Sequence, residues 1–132
     1  MIVPAAIDFQ AQHDWLAVRQ RCHDLASRTR AEINAVTGMD PICPDSLDWY
    51  VPMFAARLPE VEVELLQRRL YQRHRIEVPM HRWNGQSLIR PSFQAYNTQA
   101  AARALVEAMA DLLPAMGREL RGRVLTIRLM VP

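Results

Sequence analysis

The dipeptide Asn84-Gly85 constrains this chain more than any other pair of residues. It joins two extended runs, "RIEVPMHRW" before it and "QSLIRPSFQ" after it. A two-residue hairpin loop matches the twist of its strands when both central residues take positive φ, which asparagine and glycine tolerate best. The pair therefore predicts a tight antiparallel hairpin turning at 84–85. Pro79 and Pro91 cannot donate to a ladder, so each is expected at an edge or a bulge.

Helical periodicity flanks this hairpin. "DWLAVRQRCHDLASRTRAEINAVTG" places Trp15, Val18, Cys22, Leu25, Thr29, Ile33 and Val36 at three- and four-residue steps. Asp14 is its expected N-cap and Gly38 its left-handed stop. "MDPICPDSLDWYVP" is too rich in proline and aspartate for regular helix and reads as a loop. "MFAARL", residues 53–58, is a strand candidate that Pro59 ends. "EVEVELLQRRLYQRH" reads as a helix with Val63, Leu66, Leu70 and His74 on one side. Thr98 is placed to cap a last helix running to Leu113, with Leu105, Val106, Met109 and Leu112 as its stripe.

The order helix, strand, helix, hairpin, helix predicts an α+β fold: a small, mainly antiparallel sheet with helices on one face. Three strands are expected, or four if residues 124–131 form one; the alternative for that tail is a disordered extension. The domain is assigned to residues 1–116, leaving 117–132 as an unassigned tail. A length of 132 residues fits one domain.

Bulk charge narrows the function classes. A formal net charge of +2 gives no basis for a nucleic-acid or membrane-surface partner. No segment approaches membrane-spanning length, and "MIVPAAIDFQ" lacks the basic region and apolar length of a signal peptide. Two isolated cysteines, Cys22 and Cys43, do not make a disulfide framework, and a reducing, cytoplasmic setting is the expectation. All 16 basic residues counted as Lys or Arg are arginine. Without a lysine amine, this chain cannot itself form a Schiff base through a lysine. Arginine instead grips carboxylates and phosphates through two parallel hydrogen bonds.

Most reactive residue types find no partner pattern. His13, His23, His74 and His81 have no metal-ligand spacing and read as surface or capping residues, so no metal is expected. Cys22 lies on the apolar stripe and reads as core. Cys43 is the better thiol candidate, but nothing nearby is placed to lower its pKa. Four scattered glycines offer no phosphate cradle. Ser92 lacks a nucleophile-elbow context. No catalytic residue is assigned.

Arg90 is the exception. Between Ile89 and Phe93 its stem should be packed, and a partly buried guanidinium demands an anion. That anion is either an internal partner, such as Glu77 or an aspartate, or an incoming carboxylate. Tyr96 and Asn97 read as a turn that leads into the helix capped by Thr98.

"LYQRHRIEVPMHRWNGQSLIRPSFQAYNT" resembles the C-terminal region of class V aminotransferase-like enzymes that use pyridoxal 5′-phosphate. It is most similar to the isopenicillin N epimerase-like group, relatives of cysteine desulfurases. "VPAAIDFQAQHDWLAVRQRCHDLA" and "TGMDPICPDSLDWYVPMFAARLP" are similar to the segments that precede it, so the likeness covers roughly residues 3 to 113. Its most specific part is the arginine-x-serine pattern followed, after three residues, by Tyr96-Asn97-Thr98. The resemblance implies a C-terminal small domain in which Arg90 binds the substrate α-carboxylate. It implies that Ser92 and Asn97 shape and brace the strand-turn and that Tyr96 packs beneath it. It also implies that the cofactor, its lysine and its phosphate loop belong to a large domain, on another polypeptide or missing, so that none of the cofactor is expected on this chain alone. Pro91 stands where the family usually has a β-branched residue, so pairing should weaken there.

Two functions follow from these expectations. The first is the small domain, as fragment or split half, of a pyridoxal-phosphate enzyme acting at the Cα of an amino-acid substrate. The second is a non-catalytic interaction module of the same fold, binding a partner or forming a homodimer through its vacated domain interface.

Overall fold

The computed structural model describes residues 3–129, with side chains described through residue 120. In chain order these are α1 (Val3–Gln12), α2 (Trp15–Thr37), β1 (Ala56–Arg57), α3 (Val63–Arg69), β2 (Met80–Trp83), β3 (Gln86–Ile89) and α4 (Gln99–Leu129). A π-helical turn, Leu70–His74, extends α3. The fold is α+β, with an antiparallel sheet of order β1-β3-β2.

The hairpin forms as expected. Asn84 and Gly85 take φ of 48° and 75°, the paired left-handed conformations of a tight turn. β3 then becomes the central strand, because β1 pairs with its second edge. Ala56 faces Ile89 and Arg57 faces Leu88. The same register runs on past both ends of β1. Leu58 N–H donates to the Ser87 carbonyl at 2.9 Å, Phe54 N–H to the Pro91 carbonyl at 3.2 Å, and Phe93 N–H to the Pro52 carbonyl at 2.6 Å. Met53 and Ser92 form a bridge in that register.

The two prolines divide: Pro79 lies at a sheet edge, as expected, and Pro91 does not. Neither induces a bulge. Pro79 lies just before the edge strand β2 and accepts from Arg90 N–H at 2.9 Å. Pro91, however, extends the central strand. Each uses its carbonyl in the ladder and forfeits only the bond its ring nitrogen cannot donate. That lost bond shortens β1 from the expected residues 53–58 to two residues.

Strand alternation sorts the side chains by face. Phe54, Ala56, Leu58, Val78, Ile89 and Phe93 enter the core, where helical Ile33, Leu66 and Met109 meet them. The side chains of Ile33, Leu58, Leu66, Leu70 and Ile89 are fully enclosed, each contributing about 1.5–3 kcal/mol over an exposed position. The helices thus cover one face of the sheet. Arg57, Leu88, His81 and Arg90 fall on the other.

The helix ends follow their capping residues. Asp14 Oδ1 accepts from Ala17 N–H at 3.3 Å, and Gly38 ends α2 at φ 68° with its N–H on the Asn34 carbonyl. Thr98 Oγ1 accepts from Ala101 N–H at 3.2 Å at the start of α4. α4 does not end at Leu113. It passes through Pro114 and continues to Leu129, so residues 124–129 are helix and not a fourth strand; residues 130 and 131 of that expected strand lie outside the described residues. The apolar stripe explains the continuation, since Leu112, Leu113 and Met116 are all buried on one side. A bidentate Arg69–Glu119 pair, at 2.9 and 3.1 Å, fastens the extension to α3. α1 has no buried residue, and sequence periodicity had not marked it as a helix. Among the described residues no helix is long and apolar enough to cross a membrane.

Candidate carboxylate-binding site

Arg90 stands one residue beyond β3, on the uncovered face of the sheet. Its backbone is fixed by the bond to Pro79, while its side chain is exposed. The sequence had predicted a partly buried guanidinium. Ile89 and Pro91, its neighbours in sequence, point into the core, and alternation sends Arg90 outward. Among the described residues it makes no ion pair with Glu77 or any aspartate.

The three residues expected to support it divide. Asn97 braces the following turn: its Oδ1 accepts from Gln94 N–H at 2.7 Å, and its own N–H donates to the Gln94 carbonyl at 2.9 Å. Ser92 is exposed and continues the ladder through its bridge to Met53. Tyr96 does not pack beneath the turn, being 81% exposed. With Gln94, Ala95 and Asn97 turning back on themselves, nothing of the described chain lies over its ring.

The buried guanidinium is Arg30, only 4% exposed, which sequence reasoning missed. It donates to the Cys43 carbonyl and, at 3.5 Å, to the Tyr50 hydroxyl, and lies 3.7 Å from Asp45 Oδ1. Ser27 donates to the other Asp45 oxygen at 2.5 Å, and the Tyr50 hydroxyl donates to Oδ1. The Ser27 and Tyr50 hydroxyls hold the Asp45 carboxyl below its ordinary value, with Arg30 and His23 adding attraction. Burial pushes the Tyr50 hydroxyl up, and its bond to Asp45 adds to that. This cluster pins the 38–50 loop to α2 and sets the chain for its entry into β1. The missed signal was a second stripe: His23, Ala26, Arg30 and Ile33 also recur at three- and four-residue steps and are all buried.

His23 is thereby corrected from surface to interior. It is 8% exposed with its ring 5.0 Å from that of Tyr50, and its Nδ1 has no hydrogen-bond partner among the described residues. His13 bonds the Phe9 carbonyl at 2.7 Å, and His74 lies 3.8 Å from Asp111. No group of three histidine, cysteine or acidic residues among those described could hold a metal. Cys22 is buried, and Cys43 is half-buried beside the carbonyl that Arg30 grips.

No family model matches the chain. It is, however, 35% identical over 113 residues to the isopenicillin N epimerase of Amycolatopsis lactamdurans, a match covering 85% of this chain and 28% of that protein. The Streptomyces clavuligerus isopenicillin N epimerase is 30% identical over 120 residues, covering 90% of this chain and 29% of that one. The chain is a relative of the isopenicillin N epimerases. The resemblance carried by the hairpin and the Tyr96-Asn97-Thr98 pattern is therefore borne out, for a chain that spans under a third of either epimerase. Among solved structures, 8-amino-7-oxononanoate synthase from Francisella tularensis is similar over 67% of this chain and 27% of that chain, at a TM-score of 0.48 and 18% identity.

Proposed function

We propose that this chain is the small domain of a pyridoxal-phosphate-dependent enzyme of the isopenicillin N epimerase kind, acting at the Cα of an amino-acid substrate. Its own contribution is Arg90, which binds and orients the substrate carboxylate. The observation that carries this reading is an exposed arginine, fixed in backbone by the β2–β3 ladder, with no ion pair among the described residues. A permanently charged planar fork held on a rigid strand end suits a carboxylate.

The residues here do not fit the holding of the cofactor. There is no lysine for its imine, and the two glycines with positive φ, Gly38 and Gly85, serve a helix stop and a turn. Pyridoxal phosphate, its lysine and its phosphate site fall to a large domain outside these 132 residues. The uncovered sheet face, with Met53 and Trp83 45% and 66% exposed, supports such a partner.

The test is a chimera in which this sequence replaces the matching segment of the A. lactamdurans epimerase. The account predicts a soluble protein that retains pyridoxal phosphate and epimerises its substrate. A chimera that folds and holds the cofactor, yet does not turn over, overturns it.

A second reading, a non-catalytic interaction module, is favoured by α1, whose Val3, Ile7 and Phe9 are all exposed. Light scattering on the eluting purified chain decides it. A concentration-dependent dimer supports self-association through this surface, and a monomer at high concentration counts against it.

A further inference from the structure

Beyond Arg90 the central strand is held from one side. Arg90 N–H bonds the Pro79 carbonyl at 2.9 Å, and among the described residues no backbone bond from the β2 side reaches further along the strand. Past that point the holding falls to residues 52–54. Phe93 N–H donates to the Pro52 carbonyl at 2.6 Å, and Phe54 N–H donates to the Pro91 carbonyl at 3.2 Å. This segment continues an edge strand, so no further strand braces it. Side chains fasten it to the helices instead. Tyr50, 8% exposed, donates its hydroxyl to Asp45 and accepts from Arg30 at 3.5 Å. Its ring meets Phe54 edge-on at 6.3 Å between centroids, and Phe54 stacks on Phe93 at 6.4 Å. Tyr50, Phe54 and Phe93 are all buried, and together they link Arg30 on α2 to the strand end just past Arg90.

A bidentate fork tolerates little displacement, so its strand end must be fixed by packing and hydrogen bonds behind it. We infer that Tyr50 is a positioning residue for Arg90, carrying the fixed geometry of the buried Arg30–Asp45 cluster through Phe54 and Phe93 to the end of β3. The inference rests on the carboxylate role proposed for Arg90 and adds the residue that keeps it aimed. Tyr50 itself touches no substrate. Its hydroxyl is bonded on both sides, which fixes the ring against Phe54. Removing that hydroxyl leaves Asp45 short of a donor and lets the ring shift.

Tyr50→Phe keeps the ring and removes only the fastening. In the full chain, amide hydrogen exchange followed by NMR compares Phe93 N–H with Leu58 N–H, which bonds the Ser87 carbonyl in the same ladder. Tyr50→Phe is expected to speed Phe93 exchange about tenfold relative to Leu58, the upper scale of one hydrogen bond. Arg69→Gln, which cuts the pair to Glu119 on α4, should leave that ratio unchanged. In the epimerase chimera, Tyr50→Phe should raise KM about three- to tenfold with kcat and cofactor content held. That rise should vanish in an Arg90→Ala background, because a residue acting through Arg90 then has nothing to aim. Should the variant chimera hold no cofactor, the exchange ratio decides alone. Equal acceleration of the two amides overturns the inference, as does the same KM rise with and without Arg90. If Arg90→Ala raises KM and Tyr50→Phe does not, Tyr50 has no positioning role and the Arg90 reading stands. If Arg90→Ala leaves KM unchanged, the Arg90 reading fails and the inference falls with it.

Discussion

The guanidinium of Arg30 lies over the ring of Tyr50, 5.2 Å from its centroid. The same cation holds the Cys43 carbonyl, so one side chain joins α2 to two points of the loop that leads into β1. Truncating it leaves a carbonyl and a phenol short of a partner and opens space beside Ile33. Arg30→Ala is predicted to cost about 2–3 kcal/mol in urea denaturation. A loss below about 0.5 kcal/mol would show that the loop docks without it.

Acid should act through Asp45. Its folded carboxyl sits below the ordinary value of 3.8, held there first by the Ser27 hydroxyl. A depressed carboxyl contributes stability above its unfolded pKa and loses it as pH falls through the folded one. The wild type should therefore lose more stability than Asp45→Asn on acidification below about pH 4, and Ser27→Ala should fall between them. The alkaline limb has the opposite origin. Tyr50 is raised above 10.0, so its contribution is complete below that pH and fades as pH climbs through the folded value. Thermal midpoints across pH, compared with those of Tyr50→Phe, check both limbs.

Gly85 tests the hairpin without a packing change. A Cβ built there meets nothing within 4 Å, so the cost of Gly85→Ala is conformational alone, at φ 75°. The predicted loss is about 1 kcal/mol. A neutral or stabilising substitution would mean that the turn does not hold its left-handed pair.

Pro114 lies within α4 at an exposed position. Alanine restores a helical N–H and removes the clash with the preceding turn, offset in part by a freer unfolded chain. Pro114→Ala should stabilise by about 1–2 kcal/mol and raise helical circular dichroism. Destabilisation would show that the proline itself helps to dock Met116 and the Arg69–Glu119 pair.

These residues also show what could be read in advance. Asn84-Gly85, Asp14, Gly38 and Thr98 act through local backbone chemistry, and each lies where its type predicted. Arg30 and His23 could not be placed that way, because a polar residue on a second helical stripe is buried only when a distant loop supplies partners. The end of α4 misled in the other direction: a helix expected to stop at Leu113 runs on through Pro114, where a local breaker lost to the buried stripe on both sides of it. Arg90 was found as a residue but misjudged in burial, since alternation past the end of β3 decides which way it faces.

The central claim concerns that arginine, and its most direct measurement is the kinetics of the epimerase chimera with and without the guanidinium. Arg90→Ala should raise KM for the amino-acid substrate by about ten- to a hundredfold, the scale of a charge-assisted bidentate contact. Arg90→Lys should recover only part of that, and cofactor content should not change. An Arg90→Ala chimera with the KM and kcat of its parent would contradict the account.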